Sequence, residues 1–188
     1  MASLERLTVR PAHLGDVDVL VDFSAEMARE TEGRMLDRER LRRGTLAVFE
    51  SPERGFYMVA EVSDPRRVVG QLLVTYEWSD WRNATFWWIQ SVYVRKDWRR
   101  QGVYRLMHEA VLAQARGRKD VCGIRLYVER DNRMAQAVYR RVGLTPSAYR
   151  VFEEDFVLAR RDHRRKPAKR GGAPTLSQKL RKPHGTVR

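Results

Sequence analysis

The stretch Val92-Tyr93-Val94-Arg95-Lys96-Asp97-Trp98-Arg99-Arg100-Gln101-Gly102-Val103-Tyr104 decides how this chain is read: a strand-like run passes through a basic turn with one glycine into an amphipathic helix. The first turn of a helix leaves backbone N–H groups without partners, and the macrodipole places partial positive charge there. An anion therefore settles at such a start, and Gly102 lets it come close to the main chain. Arg99 and Arg100 add guanidinium forks, whose geometry suits phosphate oxygens. Alone, the pattern marks an anion site and names no particular anion.

Working outward, the hydrophobic period switches several times. Residues 7–10 read as a strand, and Pro11 with His13-Leu14-Gly15-Asp16 forms the turn out of it. Leu14, Val17, Leu20, Val21, Phe23 and Met27 then recur at helical spacing to about Glu30. Thr31-Glu32-Gly33-Arg34 interrupts that helix, Asp37 opens a second, and Ser51-Pro52 ends it. Three aromatic and β-branched runs follow, at 55–62, 68–78 and 85–94, with Asp64-Pro65 as a hairpin turn, and they predict three antiparallel strands. Beyond a helix over 102–117 the pattern predicts a strand over 124–128, a helix over 132–142 and a last strand over 147–156. The expected order is β-α-α-β-β-β-α-β-α-β.

The second informative segment is Val128-Glu129-Arg130-Asp131-Asn132-Arg133-Met134-Ala135-Gln136-Ala137-Val138-Tyr139-Arg140-Arg141-Val142-Gly143-Leu144, a strand end leading into a helix with Tyr139 seven residues after Asn132. Together the two segments resemble the Gcn5-related N-acetyltransferase (GNAT) superfamily. Arg99, Gln101 and Gly102 match its pyrophosphate pattern, Arg/Gln-x-x-Gly-x-Gly/Ala, and Asn132, Ala135, Tyr139 and Gly143 match its Asn-x-x-Ala-x-x-x-Tyr-x-x-x-Gly pattern in full. Tyr104 departs from the family, which usually has Gly or Ala there: either its ring points away from the pyrophosphate or the loop sits differently. The resemblance covers roughly residues 5 to 158 and implies an α/β (α+β) acyl-CoA N-acyltransferase fold, a mixed sheet of six to seven strands flanked by about four helices.

By that resemblance the strand before the basic turn splays from the next parallel strand, and the pantetheine arm of acetyl-CoA inserts there against the main chain of Val92, Tyr93 and Val94. Arg99, Arg100, Gln101, Gly102, Val103 and Tyr104 surround the pyrophosphate, while Asn132, Ala135 and Tyr139 close the other side. Arg95 and Lys96 either reach the adenosine phosphate or form a solvated basic loop, and Asn132 is also a good helix N-cap whatever the function. The implied reaction is direct transfer of an acetyl group to a primary amine in a ternary complex. It needs a deprotonated nucleophile, a polarised carbonyl and a proton for the leaving thiolate. Tyr139 is the implied acid and the Val94 N–H the implied oxyanion donor; Glu77 and Glu32 are the base candidates, with Asp80 or a water chain as alternatives. Trp78, Trp81, Trp87 and Trp88 gather near this region, either lining an acceptor pocket for a cationic amine or as plain packing. Trp87 and Trp88 lie on opposite strand faces, so at most one serves any given pocket. No metal ligand set is assigned.

Composition narrows the partners. The chain has 188 residues, which suits one domain, and its formal charge is +13. Residues 160–188 hold 11 Lys/Arg against one acid, Asp162, for a net +10, whereas residues 1–159 hold 26 Lys/Arg and 23 Asp/Glu, a net +3. The expected organisation is a GNAT domain over 1–158 and a basic, disordered tail over 159–188. That tail carries the competing reading, a nucleic-acid- or ribosome-associated binder held by phosphate contacts without sequence preference; a non-catalytic acyl-CoA sensor is the third. No apolar run approaches a membrane span and no secretory h-region opens the chain, so the expected location is the cytoplasm. Cys122 cannot pair within the chain and is expected to be a buried, inert thiol. Pairing of two copies through the late strands is implied by the family.

Overall fold

The computed structural model describes residues 7–158, and the expectations for the basic tail lie outside them. Chain packing divides into two units, Met1–Pro146 and Ser147–Arg188. In the first, β1 (Leu7–Pro11), β2 (Phe56–Ser63), β3 (Arg66–Ser79), β4 (Ala84–Val94) and β5 (Val121–Arg125) form one sheet in chain order. The first four strands are antiparallel, and β5 joins β4 in parallel after the crossover helix α3 (Val103–Arg116). Helices α1 (Val17–Glu32) and α2 (Arg38–Glu50) precede β2, and α4 (Arg133–Arg141) follows β5.

Strand alternation builds two cores from one sheet. Met58, Ala60 and Val62 of β2 face one way, joining Val69, Leu72, Trp87, Ile89, Val103, Met107 and Val111 in the core under α3. Tyr57 and Val59 face the other way and pack with Leu20 of α1, edged by Val48 and Phe49 of α2. Asp37 caps α2 through its carboxylate, which accepts from the Glu39 and Arg40 amides at 2.9 and 3.1 Å, and Gly33 ends α1 in the left-handed region. Arg38 pairs with Asp22 and Arg42 with Asp18, tying the two helices at their exposed rims.

Several expectations need correction. The sheet has five strands among the described residues, not six or seven, because residues 147–156 form no strand. Their alternating side chains are exposed, Phe152 at 93%. Alternation expresses a preference for a pleated surface, and it becomes a strand only where a ladder supplies the backbone partners. The fifth strand also starts and ends earlier than expected, at Val121–Arg125, so Cys122 lies within it and is half-buried, not buried. Among the described residues no helix is long and apolar enough to cross a membrane.

One buried histidine has a stability consequence. His108 on α3 is 2% exposed and its Nε2 has no hydrogen-bond partner among the described residues. Burial pushes its pKa below the usual value, so the native state keeps the ring neutral. Below about pH 6.5 the unfolded chain takes up a proton that the folded one resists, and stability is lost as pH falls. His108→Leu, similar in volume, is expected to remove this acid limb and to raise stability by about 1 kcal/mol or more, read as melting temperature from pH 8 to pH 5.

Candidate active site

The decisive geometry is a gap between β4 and β5. Their pairing begins at Thr85↔Val121 and stops at Trp88↔Arg125, leaving the last six residues of β4 without a partner on that side. The cause is local. The β3–β4 register shifts between Gln71 and Leu73, and Ser91 takes a left-handed φ of 34°, so β4 carries one residue more than its partner. Such a bulge bends its strand and changes which face the following side chains occupy. Trp88 and Gln90 share a face before the bulge; after it Tyr93, not Val92, turns to α1 and packs on Phe23 with ring centroids 5.0 Å apart.

Ladder alternation then fixes what β4 offers to the gap. The Arg95 N–H donates to the Val69 carbonyl at 2.9 Å, so the neighbouring Val94 N–H and C=O turn to the β5 side. Val94 thus turns its N–H to the splay, with its carbonyl on the same side. The Arg99 Nε donates to the Val94 carbonyl at 2.8 Å, which brings the guanidinium to the mouth of the gap.

The basic turn folds as the sequence requires. Lys96–Trp98 make one 3-10 turn, Arg100 and Gly102 take left-handed φ values of 61° and 83°, and α3 begins at Val103. A Cβ on Gly102 would meet nothing nearer than 3.9 Å, so the space over the helix start is open. The Gln101 amide braces the turn by donating to the Asp97 carbonyl at 2.7 Å. Arg95 pairs with Asp97 at 3.1 Å, and Lys96 and Arg99 pair with Glu30 at 3.5 and 2.7 Å. Arg100 is exposed and makes no hydrogen bond or ion pair among the described residues.

Glu30, near the end of α1, escaped the sequence reading. It also accepts from the Tyr93 hydroxyl at 3.3 Å. Burial pushes its pKa up, but the Arg99 and Lys96 cations outweigh that and hold the carboxyl below its usual value. Glu32, one of the expected bases, instead ends α1 and pairs with Arg34 at 3.2 Å. Nothing in the local pattern separates these two glutamates; the α1–β4 packing does.

Asn132 performs its capping role, its side chain accepting from the Ala135 N–H at 3.0 Å. Tyr139 on α4 is half-buried and meets the Tyr104 ring edge-on, centroids 5.5 Å apart. Tyr104 also packs on His108 at 5.9 Å. Its ring therefore points along α3 toward α4, which answers the departure from the family's small residue. Burial pushes both phenols up, Tyr104 the further, with the nearby Tyr139 adding to its shift.

The other base candidate, Glu77 on β3, has both oxygens engaged. Oε1 accepts from Arg125 Nη1 at 2.6 Å, and Oε2 accepts from the Trp88 indole. Asp80 accepts from the Trp81 N–H at 2.8 Å. Trp87 is buried in the core under α3, while Trp78 and Trp81 are 61% and 85% exposed. Of the four tryptophans, Trp88 is the one beside the splay.

The family model described as Acetyltransferase (GNAT) family matches residues 20–144. Comparison with curated proteins gave no match. A crystal structure of a "possible acetyltransferase" from Clostridium difficile 630 is similar at 37% identity and a TM-score of 0.74, covering 81% of this chain and 99% of that one. More distant structures share the fold. One is a predicted acetyltransferase with acetyl-CoA from Clostridium acetobutylicum, with 15% identity, a TM-score of 0.64 and coverage of 79% and 96%. Another is an aminoglycoside acetyltransferase from an uncultured soil metagenomic sample in complex with sisomicin, with 16% identity, a TM-score of 0.63 and coverage of 84% and 100%. The match over more than half the chain, joined to the first of these likenesses, shows that the chain belongs to the GNAT family of acetyltransferases.

Proposed function

We propose that this protein transfers an acetyl group from acetyl-CoA to a primary amine directly, within a ternary complex. The observation that carries the reading is the splay: β4 leaves β5 after Trp88 and turns the Val94 main chain into a gap that ends at the basic turn. Acetyl-CoA supplies the acetyl group as a thioester. Val94, with Val92, takes the pantetheine arm along the free edge, whereas Tyr93, expected to join them, turns its main chain to β3; the Val94 N–H donates to the carbonyl oxygen as charge develops on it. Arg99, Arg100, Gln101, Gly102, Val103 and the start of α3 at Tyr104 take the pyrophosphate, through main-chain N–H groups and guanidinium forks.

Tyr139 gives the proton to the leaving sulfur, and Asn132 and Ala135 hold the start of its helix. Its raised pKa keeps the phenol protonated at neutral pH, as an acid requires. The amine's proton passes to solvent water, from which Tyr139 regains its own, since Glu77 already carries two donors and Glu32 is paired with Arg34.

Calorimetry tests the cofactor step: the absence of binding at about 10–100 µM acetyl-CoA sinks the reading. Arg99→Gln is expected to weaken that binding about tenfold to hundredfold, the worth of one charge-assisted pair, with the melting temperature little changed. An amine panel with coenzyme A release as readout tests the transfer itself.

A further inference from the structure

We infer that the sheet face carrying Phe86, Trp88 and Gln90 is an acceptor track with an anion subsite at its far end, where Arg82 and Arg125 flank the Phe86 ring. The acceptor is then an amine bearing a carboxylate or phosphate about 13 Å from its nitrogen, the span of four strand residues from Gln90 to Phe86. The inference rests on the N-acetyl transfer reading for the role of the amine.

The subsite is built. The Arg125 guanidinium carbon lies 3.6 Å from the centre of the Phe86 ring, and that of Arg82, in the β3–β4 turn, lies 4.9 Å from it. The ring lies over Gly123 of β5, where a Cβ would come within 2.8 Å of its edge. Stacked on a ring, a guanidinium keeps its in-plane N–H groups free for oxygens. Arg125 spends one of five on Glu77, and Arg82 makes a single long bond, 3.4 Å, to the Ser79 hydroxyl. Glu77 has no lone oxygen left for a cation, because Trp88 takes the other one. Asp80, in the same turn, is engaged with the Trp81 N–H. The unspent donors at this end of the sheet are therefore those of Arg82 and Arg125.

Between subsite and splay the face is neutral and half-buried. The Trp88 and Tyr127 rings sit 5.4 Å apart, the Tyr127 hydroxyl donates to Gln90 Oε1 at 2.6 Å, and Gln90 Nε2 donates to Thr75 at 3.1 Å. Tyr127 lies beyond the end of β5, so its bond to Gln90 bridges the start of the gap. An extended molecule laid here meets aromatic and amide surface along its length and opposite charge only at its end.

The test uses the full chain loaded with coenzyme A and three tetrapeptide amides with free amino termini, alike except for Asp, phosphoserine or Asn at the fourth position. Calorimetry is expected to show the Asp or the phosphoserine peptide binding about tenfold or more tightly than the Asn peptide, and KM in the acetyl-CoA assay to follow with kcat unchanged. Arg82→Gln, which leaves Glu77 and Trp88 untouched, is expected to reduce the preference. Arg82→Gln with Arg125→Gln is expected to abolish it at constant acetyl-CoA affinity. Equal affinity for all three peptides overturns the subsite. Preferential binding without transfer to any amine keeps the subsite and overturns the transferase reading instead.

Discussion

Tyr139→Phe is expected to lower kcat by about a hundredfold or more while KM for acetyl-CoA stays within about twofold, the signature of a lost proton donor. Phenylalanine keeps the ring that meets Tyr104 edge-on, so the α3–α4 contact persists and only the hydroxyl is removed. The control is Tyr104→Phe. The Tyr104 hydroxyl is buried without a hydrogen-bond partner among the described residues, so its loss should leave kcat unchanged and stability equal or slightly higher. Burial raises the Tyr139 pKa, so the proton is bound throughout the neutral range, and the wild-type rate should show no loss from this group until the pH passes its ordinary value near 10. A kcat that survives Tyr139→Phe would remove the residue as the acid.

The largest structural effect is expected from Gly55→Ala: a loss of about 3 kcal/mol or more, a large share of a typical domain's stability. Gly55 is buried at the start of β2 with φ of 146°, a conformation L residues rarely adopt. A Cβ there would sit 2.0 Å from the Val74 carbonyl oxygen, which is backbone and cannot rotate aside. The strands must separate where Phe56 pairs with Val74, next to the Thr75 hydroxyl that holds Gln90 at the splay. Urea unfolding measures the loss, and coenzyme A release should fall with it. A change below about 1 kcal/mol would show that the strand ends move apart freely.

Much of the candidate site was legible in the chain because its two family patterns are each carried by residues close together in sequence. Arg99, Gln101 and Gly102 sit in one turn, and Asn132 caps the short helix that carries Tyr139 in its last turn, so spacing alone places them. Glu30 was not legible. It stands 69 residues before Arg99, and the one-turn sequence around it is equally compatible with Glu32 facing the loop. The bulge at Ser91 carries no Gly, Asn or Asp to announce it, yet it decides that Tyr93 faces α1. The last predicted strand shows the opposite failure: a clear alternation over 147–156 that forms no ladder.

The sequence by itself determined the succession of helices and strands through α4, the basic glycine turn and the second family pattern, because these depend on period, capping and local backbone freedom. Only the tertiary structure decided where β4 and β5 part, that Arg99 reaches the Val94 carbonyl, that Glu77 is already spent on Arg125 and Trp88, and that Arg82 and Arg125 converge on one ring. The splay, the spending of Glu77 and the convergence on Phe86 are set by how strands pair, and a shift of one residue in register would turn those strand side chains to the other face. The Arg99 contact is local, five residues along the chain, and depends on how the turn after β4 folds back on its end.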